Sequence, residues 1–183
     1  MLKNIYYEFI AFTCNTRYSM PIGILFKDKP KFYVYKTTRL SKILNDKSLI
    51  YLLSPNDPLI YLKSLDHEIE NEIKYVNGCP DLDNMGSVYL CYSRFLREDE
   101  NGIEFECEKF EKIKGENLPY TRVYGCLVEM LILLTKIEAN VIEDWFLDYA
   151  KGLKWCVERA SKMDEKYVRI SNEIFKRIER HFK

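Results

Sequence analysis

"FYVYKTTRLSKIL", residues 32–44, changes its period halfway along. Phe32 to Tyr35 is aromatic and β-branched, the composition of a strand. Leu40, Ile43 and Leu44 then recur at spacings of three and four, which is one face of a helix. Lys36, Thr37, Thr38 and Arg39 fill the break. Thr38 is placed to cap a short helix over about 38–45. The leading N–H groups of a helix lack intrahelical partners, so a helix start beside Lys36 and Arg39 attracts an anion. Two readings stand on these residues alone. One is a capped surface helix with solvated cations. The other is a phosphate cradle in which Arg39 binds oxygen atoms in bidentate fashion. No GxxxxGK[ST] or GxGxxG pattern occurs, which excludes the P-loop and dinucleotide-fold readings.

Outward from the junction, the first half reads as strands. "IYYEFIAFT" (5–13), "MPIGILF" (20–26) and "KFYVYK" (31–36) are separated by turn-like "CNTRYS" and "KDKP". "SLIYLLS" (48–54) is an apolar run suited to a strand buried on both faces. "NDPLIYLKSL" predicts a helix with Asp57 as N-cap and Pro58 in its first turn. Residues 66–86 are ambiguous: "DHEIENEIKYV" suits helix or strand, and "NGCPDLDNMG" reads as loop. Two long strands follow, 87–96 and 103–113. In the second, Ile103, Phe105 and Cys107 alternate with Glu104, Glu106 and Glu108, which predicts one buried and one wet face. The period then becomes helical. Residues 121–137 are apolar almost all round and predict a buried helix. Residues 141–160 place Ile142, Trp145, Phe146, Tyr149, Leu153, Cys156 and Ala160 on one stripe, and 165–182 repeat the pattern with Tyr167, Ile170, Ile174, Phe175 and Ile178. The fold class expected is α+β: an antiparallel β-barrel over 1–116, with a C-terminal helical part over 117–183 packed on it.

Composition narrows the function. Lysine plus arginine and aspartate plus glutamate number 28 each, so nothing draws the whole chain to nucleic acid or to an acidic membrane surface, and an anion site must be local. The longest apolar run, "CLVEMLILL", is too short to span a bilayer. Six scattered cysteines without CxxC spacing and only two histidines, His67 and His181, argue against a metal site. With no signal-like start, a cytoplasmic protein with mostly reduced thiols is expected. The absence of glutamine, beside many lysines, glutamates and isoleucines, has a thermophile's character, and in a hyperthermophile intracellular disulfides do form.

In order along the chain, several segments resemble the archaeal-type FMN-binding split-barrel family of uncharacterised proteins, domain of unknown function 447. "YYEFIAFT" is similar to that family's first strand, with Glu8 and Thr13 in matching places. "SMPIGI" resembles its "APMG" segment and keeps Pro21 and Gly23. "YKTTRLSKIL" resembles its "Y-x-G-S-R-T-Y-x-N-L", and "NDP" its "DP" helix start. "TRVYGCLVEMLILLTKI" resembles its late helix, keeping Arg122, Glu129 and Thr135. Thr37 and Thr38 stand where the family has Gly-Ser, and Leu40 where it often has Thr. The resemblance implies the split form of an antiparallel β-barrel and a homodimer with FMN between protomers. The phosphate is then expected at Lys36, Thr37, Thr38 and Arg39, and the isoalloxazine edge along Met20, Pro21, Ile22 and Gly23. Arg122 opens a helix whose dipole opposes its charge, which calls for an anion beside it: the FMN phosphate, or a carboxylate such as Glu129 or Asp57. The function implied is a flavoprotein, an oxidoreductase of unknown substrate. The alternatives are a non-enzymatic flavin carrier and a module for another phosphorylated ligand. No catalytic residue is assigned, because a flavin carries the redox chemistry itself.

Overall fold

The strands read from the sequence pair antiparallel and close on themselves. The computed structural model describes residues 1–182. The barrel strands are β1 (Ile5–Thr13), β2 (Ser19–Phe26), β3 (Lys31–Tyr35), β4 (Leu49–Pro55), β7 (Gly86–Glu98) and β8 (Gly102–Lys114). They close in the order β1-β2-β3-β8-β7-β4. β3 pairs with β8 from Lys31↔Glu106 to Tyr35↔Gly102, and β4 is flanked by β1 and β7, as its apolar run requires. Between β3 and β4 lies α1 (Leu40–Ile43). Between β4 and β7 lie α2 (Leu59–Leu65), α3 (Ile69–Glu72) and the hairpin β5–β6 (Lys74–Val76, Cys79–Asp81).

The ambiguous segment 66–86 therefore holds both periods: a single helical turn, then a hairpin. The hairpin turns at Asn77 and Gly78, both with positive φ (52° and 80°). Asn-Gly is the strongest short hairpin signal, and it is this dipeptide that a loop reading passed over. The segment covers one face of β1. Ile10 and Phe12 pack with Leu53, Ile69, Ile73 and Leu82, all buried. On the opposite face Tyr7 and Phe9 join Phe26, Tyr89 and Phe110, with neighbouring ring centroids 5.1–5.4 Å apart. Both faces of β1 are thus covered, which explains five consecutive buried residues at its end.

The alternation expected of 103–113 fails at Glu106, which is buried. Glu106 keeps its place on the face opposite Phe105 and Cys107, and its partners Arg94 and Lys29 lie over it there, while a bulge one step further on sets Tyr92 against Lys109 and leaves Glu108 extra. Glu106 is tolerated because Arg94 (2.5 Å) and Lys29 (3.3 Å) bind its Oε1. Capping by Asp57 occurs as expected: its Oδ1 accepts the Leu59 N–H at 2.9 Å. The cysteines depart from the reduced state expected. Cys14–Cys79 and Cys91–Cys107 are disulfides, because the fold brings each pair side by side.

The chain divides into two compact units, one of Tyr7–Tyr120 and the other of Leu2–Tyr6 with the chain from Thr121 on. The second holds α4 (Arg122–Glu138), α5 (Phe146–Ala160) and α6 (Glu165–Glu179), which pack on one another, and a short 3-10 turn, Arg180–Phe182. Thr121 caps α4 by accepting the Val123 N–H. α4 is not buried all round. Val123, Leu127, Met130, Leu133, Leu134 and Ile137 are covered, but Tyr124, Val128, Leu131 and Ile132 are between 44% and 52% exposed. α5 starts only at Phe146, so its buried stripe is Phe146, Ala150, Leu153, Val157 and Ala160; Ile142, Trp145 and Tyr149 are exposed. On α6 the buried set is Tyr167, Ser171, Ile174 and Ile178. Among the described residues no helix is long and apolar enough to cross a membrane.

Candidate functional site

The loop from β3 to α1 is a tight turn. Both the N–H and the hydroxyl of Thr38 donate to the Tyr35 carbonyl, at 3.0 and 2.7 Å. Thr38 therefore closes the turn and does not cap α1, whose cap position is Arg39 with no side-chain cap bond. Ser41 Oγ donates to the Thr38 carbonyl at 2.8 Å. Leu40 is wholly buried and pins the loop to the barrel as an apolar anchor. Thr37 is not among the residues with positive φ, so its Cβ costs no strain where the family has glycine. With α1 only four residues long, attraction for an anion rests on the side chains rather than on a helix dipole.

Those side chains line a pocket of about 550 Å³. Its walls are Arg17, Tyr18, Thr37, Thr38, Arg39, His67, Glu70 and Asn71. Three of the residues expected from the sequence are thus brought together with five that were not. Arg17 and Tyr18 come from the turn before β2, His67 from the α2–α3 link, Glu70 and Asn71 from α3. Tyr18 organises one side. The Arg39 guanidinium carbon lies 5.4 Å from its ring centroid and the His67 ring 5.3 Å from it. Its hydroxyl donates to Met20 Sδ at 3.7 Å, tying the pocket to the first residues of β2. Burial raises the Tyr18 pKa, against the nearby Arg39 charge, so the phenol stays protonated at neutral pH.

Glu70 forms the other side. Its Oε1 accepts from Ser19 N at 2.6 Å and Ser19 Oγ at 2.8 Å, and His67 Nδ1 lies 3.4 Å away. Ser19 Oγ also meets Ser64 Oγ at 2.8 Å. Glu70 is 5% exposed, yet its Oε2 has no hydrogen-bond partner. The buried Tyr75 hydroxyl is likewise unpaired. Burial first, then the Glu70 charge, raises the Tyr75 pKa. The cavity thus sets two guanidinium groups and the Thr37 hydroxyl on one side and the Glu70 carboxylate on the other. His67 sits at φ 59°, a left-handed conformation that histidine adopts more readily than most residues.

The other expected site residues lie elsewhere. Lys36 pairs with Glu98 at 2.6 Å and does not line the pocket. Met20, Pro21, Ile22 and Gly23 lie in β2, with Ile22 buried and the others half-buried. Glu8 is a backbone partner of Tyr120 and Tyr61. Arg122 is exposed at the first position of α4, in the second unit, and Glu129 is exposed on the same helix. "TRYS" carries a legible hint, a cation and an aromatic just before the "MPIG" segment. Glu70 carries none, because only tertiary contact buries it. Among the described residues no group of three His, Cys, Asp or Glu side chains is arranged to hold a metal.

No family model matches the sequence, and no curated protein is similar to it. Among solved structures, the chain is similar to an FMN-bound protein from Methanosarcina mazei described under domain of unknown function 447. The likeness covers 94% of this chain and 94% of that one, with a TM-score of 0.50 and 18% identity. The two share a fold, and the family of that protein is the one the ordered sequence segments resemble.

Proposed function

We propose that the barrel unit binds FMN, with the phosphate held by Arg17, Arg39 and the hydroxyl of Thr37, beside the turn that Thr38 closes. The observation that carries this reading is the pocket itself: two arginines and two threonines converge on it, in a fold shared with an FMN-bound protein. The residues fit the group. About 550 Å³ lies within the ~300–1,000 Å³ usual for small-molecule and cofactor sites. Tyr18 connects this end to Met20, from which Met20, Pro21, Ile22 and Gly23 extend as the edge for the isoalloxazine. Lys36, engaged with Glu98, contributes only to the local field. Arg122 belongs to the second unit and carries no part of the proposal.

Bound FMN would supply hydride and electron transfer, so the reaction class proposed is oxidoreduction with a reduced nicotinamide as donor. The chain's own contribution is to bind, orient and partly desolvate the cofactor. A homodimer accompanies this reading: Tyr124, Val128, Leu131 and Ile132 leave an apolar helix face of the kind that marks protein contacts. Sedimentation of the wild type as a dimer, and of Leu131→Lys as a monomer, is expected.

The test is a titration of the flavin-free protein with FMN and with riboflavin, followed by flavin fluorescence. Two charge-assisted contacts at about 1.5–3 kcal/mol each put FMN at least ~10²-fold ahead. Equal affinities would remove the phosphate assignment, and binding of neither would remove the flavin. Bleaching of bound flavin by NADH or NADPH under anaerobic conditions separates an enzyme from a carrier.

A further inference from the structure

Arg17 lies in the turn 14–18 between β1 and β2, and that turn is fastened to the β5–β6 hairpin. Cys14 is bonded to Cys79. The Asn15 N–H donates to the Gly78 carbonyl at 2.6 Å. The Arg17 guanidinium carbon lies 5.6 Å from the centre of the Tyr75 ring. The hairpin itself is slight, with three residues per strand that pair only with each other among the described residues. A two-stranded hairpin is marginal by itself. Ile73, Tyr75 and Leu82 anchor its base in the core, while Val76 and Asn77 at its tip are exposed. The covalent link therefore holds tip and turn together. The two disulfides also differ in access. Cys91 and Cys107 are 0% and 1% exposed, whereas Cys14 and Cys79 are half-buried. We propose that the Cys14–Cys79 disulfide positions Arg17 at the phosphate end of the pocket, and that its reduction by a dithiol selectively weakens binding of a phosphate-bearing ligand. The identity of that ligand rests on the flavin reading; the positioning rests on the cross-link.

A thiolate of the dithiol attacks one sulfur of the bond, forms a mixed disulfide and releases the other cysteine as a thiolate. The reductant's second thiol then attacks its own sulfur in the mixed disulfide and departs as a cyclic disulfide. The reductant gives up two electrons and two protons, and Cys14 and Cys79 end as thiols. Burial shields Cys91–Cys107 from the same attack. Once the bond is open, the turn keeps the Asn15–Gly78 hydrogen bond and the Arg17–Tyr75 contact, each far weaker than a covalent link. The facing wall does not depend on the hairpin: Thr38 is held by the Tyr35 carbonyl and Leu40 by burial. Ser19, next in the chain, is held by Glu70. Reduction thus loosens one cation and leaves the rest of the pocket in place.

The experiment compares the flavin-free full chain before and after treatment with dithiothreitol under anaerobic conditions. Alkylation and peptide mass spectrometry identify the reduced cysteines, titrations with FMN and riboflavin are read by fluorescence, and amide hydrogen exchange maps the loosened segments. Cys14 and Cys79 are expected to be alkylated while Cys91 and Cys107 stay bonded. FMN is expected to weaken about 10-fold or more and riboflavin less than about 3-fold, because one charge-assisted contact is lost. Exchange is expected to rise at 14–18 and 76–79 and not at 36–44, and reoxidation is expected to restore all three readouts. Arg17→Ala is expected to show the FMN loss already when oxidised and no further loss on reduction. A bond that resists the dithiol, unchanged exchange at 14–18, equal losses of both flavins, or a further FMN loss in reduced Arg17→Ala would each overturn the proposal. An oxidised protein that binds neither flavin removes the flavin reading. The redox comparison is then made with inorganic pyrophosphate, where weaker binding by the reduced form supports the positioning role and equal binding, or none, in both forms overturns it.

Discussion

Replacing Glu70 probes how the pocket is held together. Its carboxylate takes two hydrogen bonds from Ser19, at 2.6 and 2.8 Å, and fixes the start of β2 to α3 across the cavity. Ser19 is wholly buried, so in Glu70→Ala its N–H loses its acceptor with no water to replace it. Two charge-assisted bonds are lost, at about 1.5–3 kcal/mol each, and the Ser19 hydroxyl recovers part of its share through Ser64. The relief of no longer burying a carboxylate with an unpaired oxygen offsets about 1–3 kcal/mol. The net loss expected is about 2–4 kcal/mol. Glu70→Gln keeps an acceptor at the Ser19 N–H, so its loss is expected at about 1 kcal/mol or less. Urea unfolding at pH 7 measures both. It is best followed by circular dichroism, because Trp145 and Trp155 both lie in the helical unit. Alanine and glutamine variants of equal stability would refute the clamp, since the acceptor would then be irrelevant. Losses under about 0.5 kcal/mol in both would show that the pocket wall stands without it.

Arg39→Ala is expected to weaken FMN about 10- to 100-fold and riboflavin less than about 3-fold, read by fluorescence quenching; equal losses would place the guanidinium away from the phosphate. Thr37→Gly is expected to lower stability by about 0.5–1 kcal/mol in thermal melts, because Thr37 has no positive φ for glycine to relieve and glycine adds unfolded-state entropy. The double substitution Cys14→Ser, Cys79→Ser opens a link spanning 65 residues and is expected to cost about 2–4 kcal/mol, seen as a lower midpoint in urea. Burial works to raise the Glu106 pKa, but Lys29 and Arg94 outweigh it and hold the carboxyl below its usual value. A depressed folded pKa adds stability above the unfolded value and loses it as pH falls through the folded one. Glu106→Gln is therefore expected to be about 1–2 kcal/mol less stable than wild type above pH ~5, with the gap closing toward pH ~3.

Local pattern determined most of the barrel. Residues 5–13 and 31–35 are strands because β-branched and aromatic side chains suit a pleated, half-buried surface, and that preference is carried within a few residues. The strand-to-helix junction at 36–39, the cap at Asp57 and the change of period after 120 were legible for the same reason. So was the fold class, because hairpins of this spacing have few ways to remove their edges.

Only tertiary structure decided what depends on distant neighbours. Arg94 and Lys29, from neighbouring parts of the barrel, cover Glu106, although strict alternation faces it to water. The limited cover from α5 and α6 leaves half of α4 exposed, although its composition is apolar all round. Thr38 turns its hydroxyl back to Tyr35 because the chain must bend there, and Leu40 takes the anchoring role. Above all, the pocket is made of three stretches, 17–18, 37–39 and 67–71, that are neighbours only once the barrel closes and α3 packs over β1. Thr37 and Arg39 announce an anion in the sequence. Glu70 has to be folded into place before its carboxylate can hold Ser19, because burial and the loss of water are properties of the assembled core and not of a residue in its chain.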